Sequence, residues 1–233
     1  MHVQYGEGVL PDAADTHCVY LVAYTSVYAA LWMCDVLIRT PARSSYPCYT
    51  AYMKYVAMIR GVGPENPNMR GAKLQWAFEQ MGFSNVRPFL SSGNVLFESD
   101  ITDPVRLEEM AEEALPHLLD FSRDVFVRSQ ADLQTVVDAD PFAGLVHENS
   151  GKTYLTITFF KNPPAELPLL PFRPEGKSFE LIVMVNGALC CVVDLSTGKT
   201  PDLMSYLERQ YGKPITTRTY NTVSRMLMRL NES

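Results

Sequence analysis

Arg60 closes a short apolar run and is followed by Gly61 and a loop that leads into a helix. A guanidinium at the end of a strand, beside loop amides and a helix N-terminus, suits a phosphate or carboxylate. Asn66 and Asn68 belong to the same loop, which begins Val62-Gly63-Pro64-Glu65. A second polar group is the turn Ser91-Ser92-Gly93-Asn94, where glycine and asparagine accept positive φ. A third is Arg218, with Tyr220 and Asn221, at the entry to the last helix.

Arg60, Gly61, Asn66, Asn68, Ser92, Gly93, Asn94, Arg218, Tyr220 and Asn221 are therefore the candidate ligand-binding residues. If they meet in one concave site, two arginines with hydroxyl and amide neighbours would recognise a small anion, because guanidinium donates in pairs. Each group also has a plainer use. Arg60 can brace its loop by pairing with carbonyls or an acidic neighbour. Ser92 and Asn94 can serve only the turn. Arg218, Arg225 and Arg229 can form a solvated basic face, with Thr219 or Asn221 as the helix cap.

Catalytic chemistry is harder to find. Gly61-x-Gly63 lacks the third glycine of a dinucleotide fingerprint, and prolines interrupt it. No G-x-S-x-G elbow surrounds Ser92. After Met53 the imidazoles are His117 and His147, each in a polar or terminal stretch. Asp138-Ala139-Asp140 follows a helix and precedes Pro141, so it reads as a helix-end turn rather than a metal pair. The five cysteines form no C-x-x-C and no zinc spacing, and Cys190-Cys191 sit in an apolar run. Packed free thiols in a reducing, cytoplasmic compartment are the expectation. No catalytic residue, metal or cofactor is called for, and an enzyme ranks last among the function classes.

The elements that must position these residues follow from periodicity. Tyr55–Ile59 reads as a strand. Asn68 is expected to cap a helix with the stripe Leu74, Ala77, Phe78 and Met81, ended by Gly82. Val86–Leu90 and Val95–Glu98 flank the Ser91–Asn94 turn. Asp103-Pro104 starts a helix along Leu107, Met110, Ala111, Ala114 and Leu115, with Pro116 at its end. Asp124–Arg128 is a fourth strand, and Ser129 with Asp132 opens a capped helix through Val137. The order β-α-β-β-α-β is the ferredoxin-like plait.

The second half partly repeats this plan. Tyr154–Phe160 is a strand, and Pro163–Pro174 an irregular crossing. Phe179–Val185 and Ala188–Leu195 flank Asn186-Gly187, a strong hairpin signal. Thr200-Pro201 is expected to cap a helix stopped by Gly212, and a last helix carries Val223, Met226, Leu227 and Leu230. The fold expectation is α+β: two ferredoxin-like lobes with mostly antiparallel sheets, over 53–140 and 141–233, plus an N-terminal extension over 1–52.

That extension reads differently. Cys18 to Cys34 contains no charged residue or histidine, at the lower limit for a membrane span. Three readings stand: an over-extended reading frame with the natural start at Met53, a packed or loose helix, or a true anchor. A membrane partner is expected only if residues 18–38 form that anchor.

Three stretches resemble a known family. Tyr55-Val56-Ala57-Met58-Ile59-Arg60-Gly61, with a helix ending in Gly82-Phe83, opens like the family called domain of unknown function 1697. Ser92-Gly93-Asn94-Val95-Leu96-Phe97 resembles its hairpin, and Thr216 to Val223 its closing Thr-x-Arg-x-aromatic-x-Thr-Val pattern. The resemblance spans Met53 to Asn231. It implies ferredoxin-like lobes and no established activity.

Net charge is −6, with 20 basic and 26 acidic residues, which argues against a dedicated nucleic-acid binder. A small anionic ligand needs only a local positive patch. The leading expectation is a binding protein for a small anionic or nucleotide-like ligand. The alternative is a nucleic-acid or protein interaction module using an exposed sheet face. A chain shortened to begin at Met53 is expected to unfold cooperatively, with a Tm within a few degrees of the full-length chain. Insolubility or a broad, molten transition would place the first 52 residues in the core.

Overall fold

The computed structural model describes residues 52–61, 66–90, 93–146, 153–196 and 202–232. The N-terminal extension, the apolar segment 18–38 included, lies outside the described residues but for Tyr52. Strand β1 (Met53–Ile59) has its last five residues buried, because it is central in its sheet and covered on both faces. It pairs antiparallel with β3 (Asn94–Ser99) and β4 (Val125–Ser129), and β2 (Ser84–Phe89) adds beyond β3. The first sheet has the order β2-β3-β1-β4. A second sheet has the matching order β6-β7-β5-β8, formed by β5 (Thr153–Phe160), β6 (Phe179–Val185), β7 (Ala188–Asp194) and β8 (Ile215–Thr219).

Strand alternation sorts the apolar residues into three cores. Tyr55, Ala57 and Ile59 face helices α1 (Gly71–Gln80) and α2 (Pro104–Leu119). Val56 and Met58 face inward and share a core with Ile157 and Phe159 of β5. Helices α3 (Gln130–Asp138) and α5 (Tyr220–Asn231) complete that core. Phe160, Leu189 and Cys191 face α4 (Leu203–Tyr211). Both faces of each sheet are thus covered. That overturns the expected exposed sheet face, since the apolar residues that would present it are the ones the lobes and helices bury.

Helix boundaries depart from the periodic reading in three places. Asn66, not Asn68, does the capping: its side chain accepts from the Asn68 N–H and starts a 3-10 turn over Pro67–Met69. α1 then begins at Gly71 with no side-chain cap. Pro116 does not end α2, which runs on to Leu119 and closes on Asp120 in the left-handed conformation. Proline forfeits one N–H and crowds the preceding turn, but Leu115 and Leu119 are buried and hold that turn in place. Thr200 and Pro201 lie outside the described residues, and Asp202 stands at the N-cap of α4. No helix occurs between Lys161 and Ser178. Among the described residues no helix is long and apolar enough to cross a membrane.

Ser129 and Asp132 form the expected capping box. Burial works to raise the Asp132 pKa, but hydrogen bonds from Ser129 and Asn186 and the charge of Arg128 outweigh it, so it lies below the ordinary value. A carboxyl with a depressed folded pKa stabilises the fold above its unfolded pKa, and loses that contribution as pH falls through the folded value. Asp132→Asn is therefore expected to cost ~1 kcal/mol at neutral pH, the usual worth of a cap. The difference from wild type should shrink once pH falls below about 4, the unfolded carboxylate range, and vanish only below the lower folded value. Urea melts across pH check both.

The Asn186-Gly187 hairpin forms as read: both residues have positive φ, and Val185 pairs with Ala188. Its tip is not free of the molecule, because the Asn186 amide donates to Asp132 at 2.9 Å. A Cβ on Gly187 would lie 3.3 Å from the Pro163 ring. Gly187→Val should destabilise by at least about 1–2 kcal/mol, the cost of a left-handed L-residue. An unchanged denaturation midpoint would count against this turn geometry.

Candidate functional site

Two arginines stand at corresponding positions, each next to last in the edge strand beside the first strand of its sheet. Arg128 in β4 is opposite Val56, and Arg218 in β8 is opposite Ile157. Each reaches into the other lobe. Arg218 donates from Nη2 to the Ile59 carbonyl at 3.1 Å, the end of β1. Arg128 donates from Nη2 to the Phe160 carbonyl at 2.5 Å, the end of β5. The residue after each of those carbonyls is cationic and pairs with a helix of the opposite lobe. Arg60 meets Glu208 of α4, and Lys161 meets Glu112 of α2.

The two copies are not chemically equal. Arg128 also meets the Glu108 carboxylate, at 3.2 Å, which accepts from the Val127 N–H at 2.8 Å. Glu108 is buried, so its charge is held by Arg128, Lys161 and that amide rather than by water. Four residues before Glu208, the position matching Glu108 is Met204, whose sulfur accepts from the Thr217 hydroxyl at 2.7 Å. Arg218 donates to the Asn94 side-chain oxygen at 2.7 Å, the Thr216 hydroxyl at 2.8 Å and the Thr217 carbonyl at 3.0 Å. Burial strips water from its guanidinium and lowers its pKa to about 10, so it stays charged at neutral pH.

Around Arg218 lies a cleft of about 680 Å³ between the lobes. Arg60, Gly61 and Arg218 line it, so three of the sequence candidates share one concavity. Arg60 is also braced, by Asp124 at 3.4 Å and by Glu208, which is the plainer use foreseen for it. Gly61 has positive φ, and a Cβ there would sit 3.4 Å from Arg123 Nε. Asn94 is buried behind Arg218; it begins β3 rather than belonging to the turn. The Gly93 carbonyl accepts from the Ile59 N–H at 2.7 Å.

The other candidates serve the framework. Asn66 and the Asn68 N–H make the 3-10 cap. Tyr220 packs edge-on against Phe142, centroids 5.1 Å apart, and Asn221 lies in the first turn of α5. Thr219, not Asn221, caps that helix by accepting from the Thr222 N–H at 3.2 Å. Arg225 lies over the Phe89 ring and Arg229 meets Glu232, so neither reaches the cleft. Ser92 lies outside the described residues.

Sequence reasoning missed the remaining lining residues, among them Glu112, Arg123, Asp124, Met204 and Thr217. Ser122-Arg123-Asp124 carried the one visible signal, a polar run just before a strand. Among the described residues no group of acidic, histidine or cysteine side chains could hold a metal ion.

Comparison with known proteins agrees with this architecture. A structure of a conserved bacterial protein from Streptococcus pneumoniae is similar in fold, with a TM-score of 0.57 and 17% sequence identity. The match covers 78% of this chain and 99% of that one. No curated protein sequence matches the chain. The model of a family described as a protein of unknown function, DUF1697, matches residues 53–189, so the closing Thr216–Val223 pattern lies past the matched span. With its two opening motifs inside that match, the chain belongs to the DUF1697 family.

Proposed function

We propose that the cleft between the lobes binds a small anionic or nucleotide-like ligand, and that the protein is a cytoplasmic binding protein. The observation that supports this reading best is the position of Arg60 and Arg218. They come from opposite lobes and line one concave surface. Arg123 adds a third guanidinium at the rim, bonded to the Ser122 carbonyl. Buried arginine is an efficient anion partner, because its charge is already desolvated and its donors are fixed in direction. Burial raises the thiol pKa of Cys190 to about 12, so it is an unreactive packed thiol, in keeping with a reducing compartment.

Titration calorimetry with inorganic phosphate, AMP and succinate tests the reading. Arg60→Ala or Arg218→Ala is expected to weaken the best of these probes by about 1.5–3 kcal/mol, the range for hydrogen bonds to charged groups. Arg218→Ala should also lower Tm, since it removes the bonds to the Ile59 carbonyl and to the Asn94 side-chain oxygen. Arg123→Ala is expected to weaken binding and leave Tm unchanged, because its side chain donates to the carbonyl of its own neighbour, Ser122. Equal affinity in wild type and all three variants would reduce these arginines to a structural role.

A further inference from the structure

The molecule carries its own comparison for this cleft. Strand registers match residue for residue between the lobes: Ala57 pairs with Val127 as Thr158 pairs with Thr217, and Met58 with Asn94 as Phe159 with Ala188. The cross-lobe bonds and the Arg60–Glu208 and Lys161–Glu112 pairs repeat the same correspondence. In one copy a carboxylate, Glu108, lies against the arginine and the residue before it, Val127. In the other, Met204 takes the helix position of Glu108, and Met204, Thr217 and Arg218 line the cleft.

We propose that the ligand is a carboxylate. Its oxygens would lie against Arg218 and Thr217 as those of Glu108 lie against Arg128 and Val127. This rests on the anion-binding reading above and narrows it to a chemical class. Three details agree. The Thr217 hydroxyl donates toward the Met204 sulfur and accepts from the Thr158 hydroxyl, so its proton is aimed where the acceptor would come. Methionine is flexible and uncharged, so it can move aside for a ligand without competing for the arginine. The charged groups lining the cleft are three arginines (Arg60, Arg123 and Arg218) and two carboxylates (Glu112 and Asp124), a surplus of one positive charge. A carboxylate group brings one negative charge to that surplus, whereas a phosphate dianion concentrates two on one group beside Glu112 and Asp124.

The experiment compares acetate and succinate with inorganic phosphate and AMP, at matched ionic strength, by ligand-dependent Tm and calorimetry. Wild type, Met204→Leu and Met204→Glu are measured, each first shown to be folded by circular dichroism. The carboxylates are expected to raise the wild-type Tm with concentration and to bind more tightly than the phosphates. Met204→Leu should keep that response. Met204→Glu supplies the carboxylate from the helix and should weaken succinate at least tenfold. Phosphate or AMP binding as tightly as succinate, or alone, overturns the carboxylate class and leaves the anion-binding reading standing. Carboxylate binding indifferent to Met204→Glu overturns the placement at Arg218. Silence of all four probes on wild type overturns both readings.

Discussion

The structure depends on a pair of exchanged hydrogen bonds. Arg218 of the second lobe holds the last carbonyl of β1, and Arg128 of the first lobe holds the last carbonyl of β5. A strand's last carbonyl has no ladder partner beyond the sheet, and a buried unpaired carbonyl is costly. Each lobe therefore completes the other's central strand. The same two side chains fix the lobes against each other where the cleft opens, so site geometry and lobe packing share one set of bonds.

Apolar packing alone would leave that arrangement less defined. The inner core joins Val56 and Met58 to Ile157 and Phe159, and such surfaces tolerate sliding. Arginine forks aimed at single carbonyls do not, because the donors have fixed directions. The buried ion cluster of Glu108, Arg128 and Lys161 adds orientation more than net stability, since taking charges out of water offsets most of their attraction. Removing Glu108 would leave the largely buried Arg128 without its carboxylate.

The two lobes show what one change of residue does within a shared framework. A glutamate on α2 neutralises its arginine from inside the protein. The methionine at the matching place on α4 leaves the corresponding arginine among an amide, hydroxyls and carbonyls at the wall of a cleft. The lobes also differ where α1 covers the first sheet and a proline-rich crossing covers the second, with Leu170 and Phe172 packed on its outer core. A buried ion cluster in one copy thus corresponds to a cleft wall in the other.

Much of the fold was legible in the residues. The apolar run Tyr55–Ile59, the Ser129–Asp132 capping box and the Asn186-Gly187 turn depend on neighbours a few positions apart, and all three stand as read. Pro116 and Asn68 were misread because each obeys a local preference that burial or an adjacent residue overrides. Of the site, the sequence identified Arg60 as a cation at a strand end and Arg218 as one at the entry to the last helix, but not the strand β8 that carries Arg218. It could not identify Glu108, which looks like any glutamate on a helix until Arg128 and Lys161 arrive from 20 and 53 positions away. Nor could it pair Met204 with Thr217, or bring Arg60 to Glu208. Those contacts exist only once the two lobes are docked, because a charge or thioether acquires its meaning from groups that the chain's periodicity does not relate.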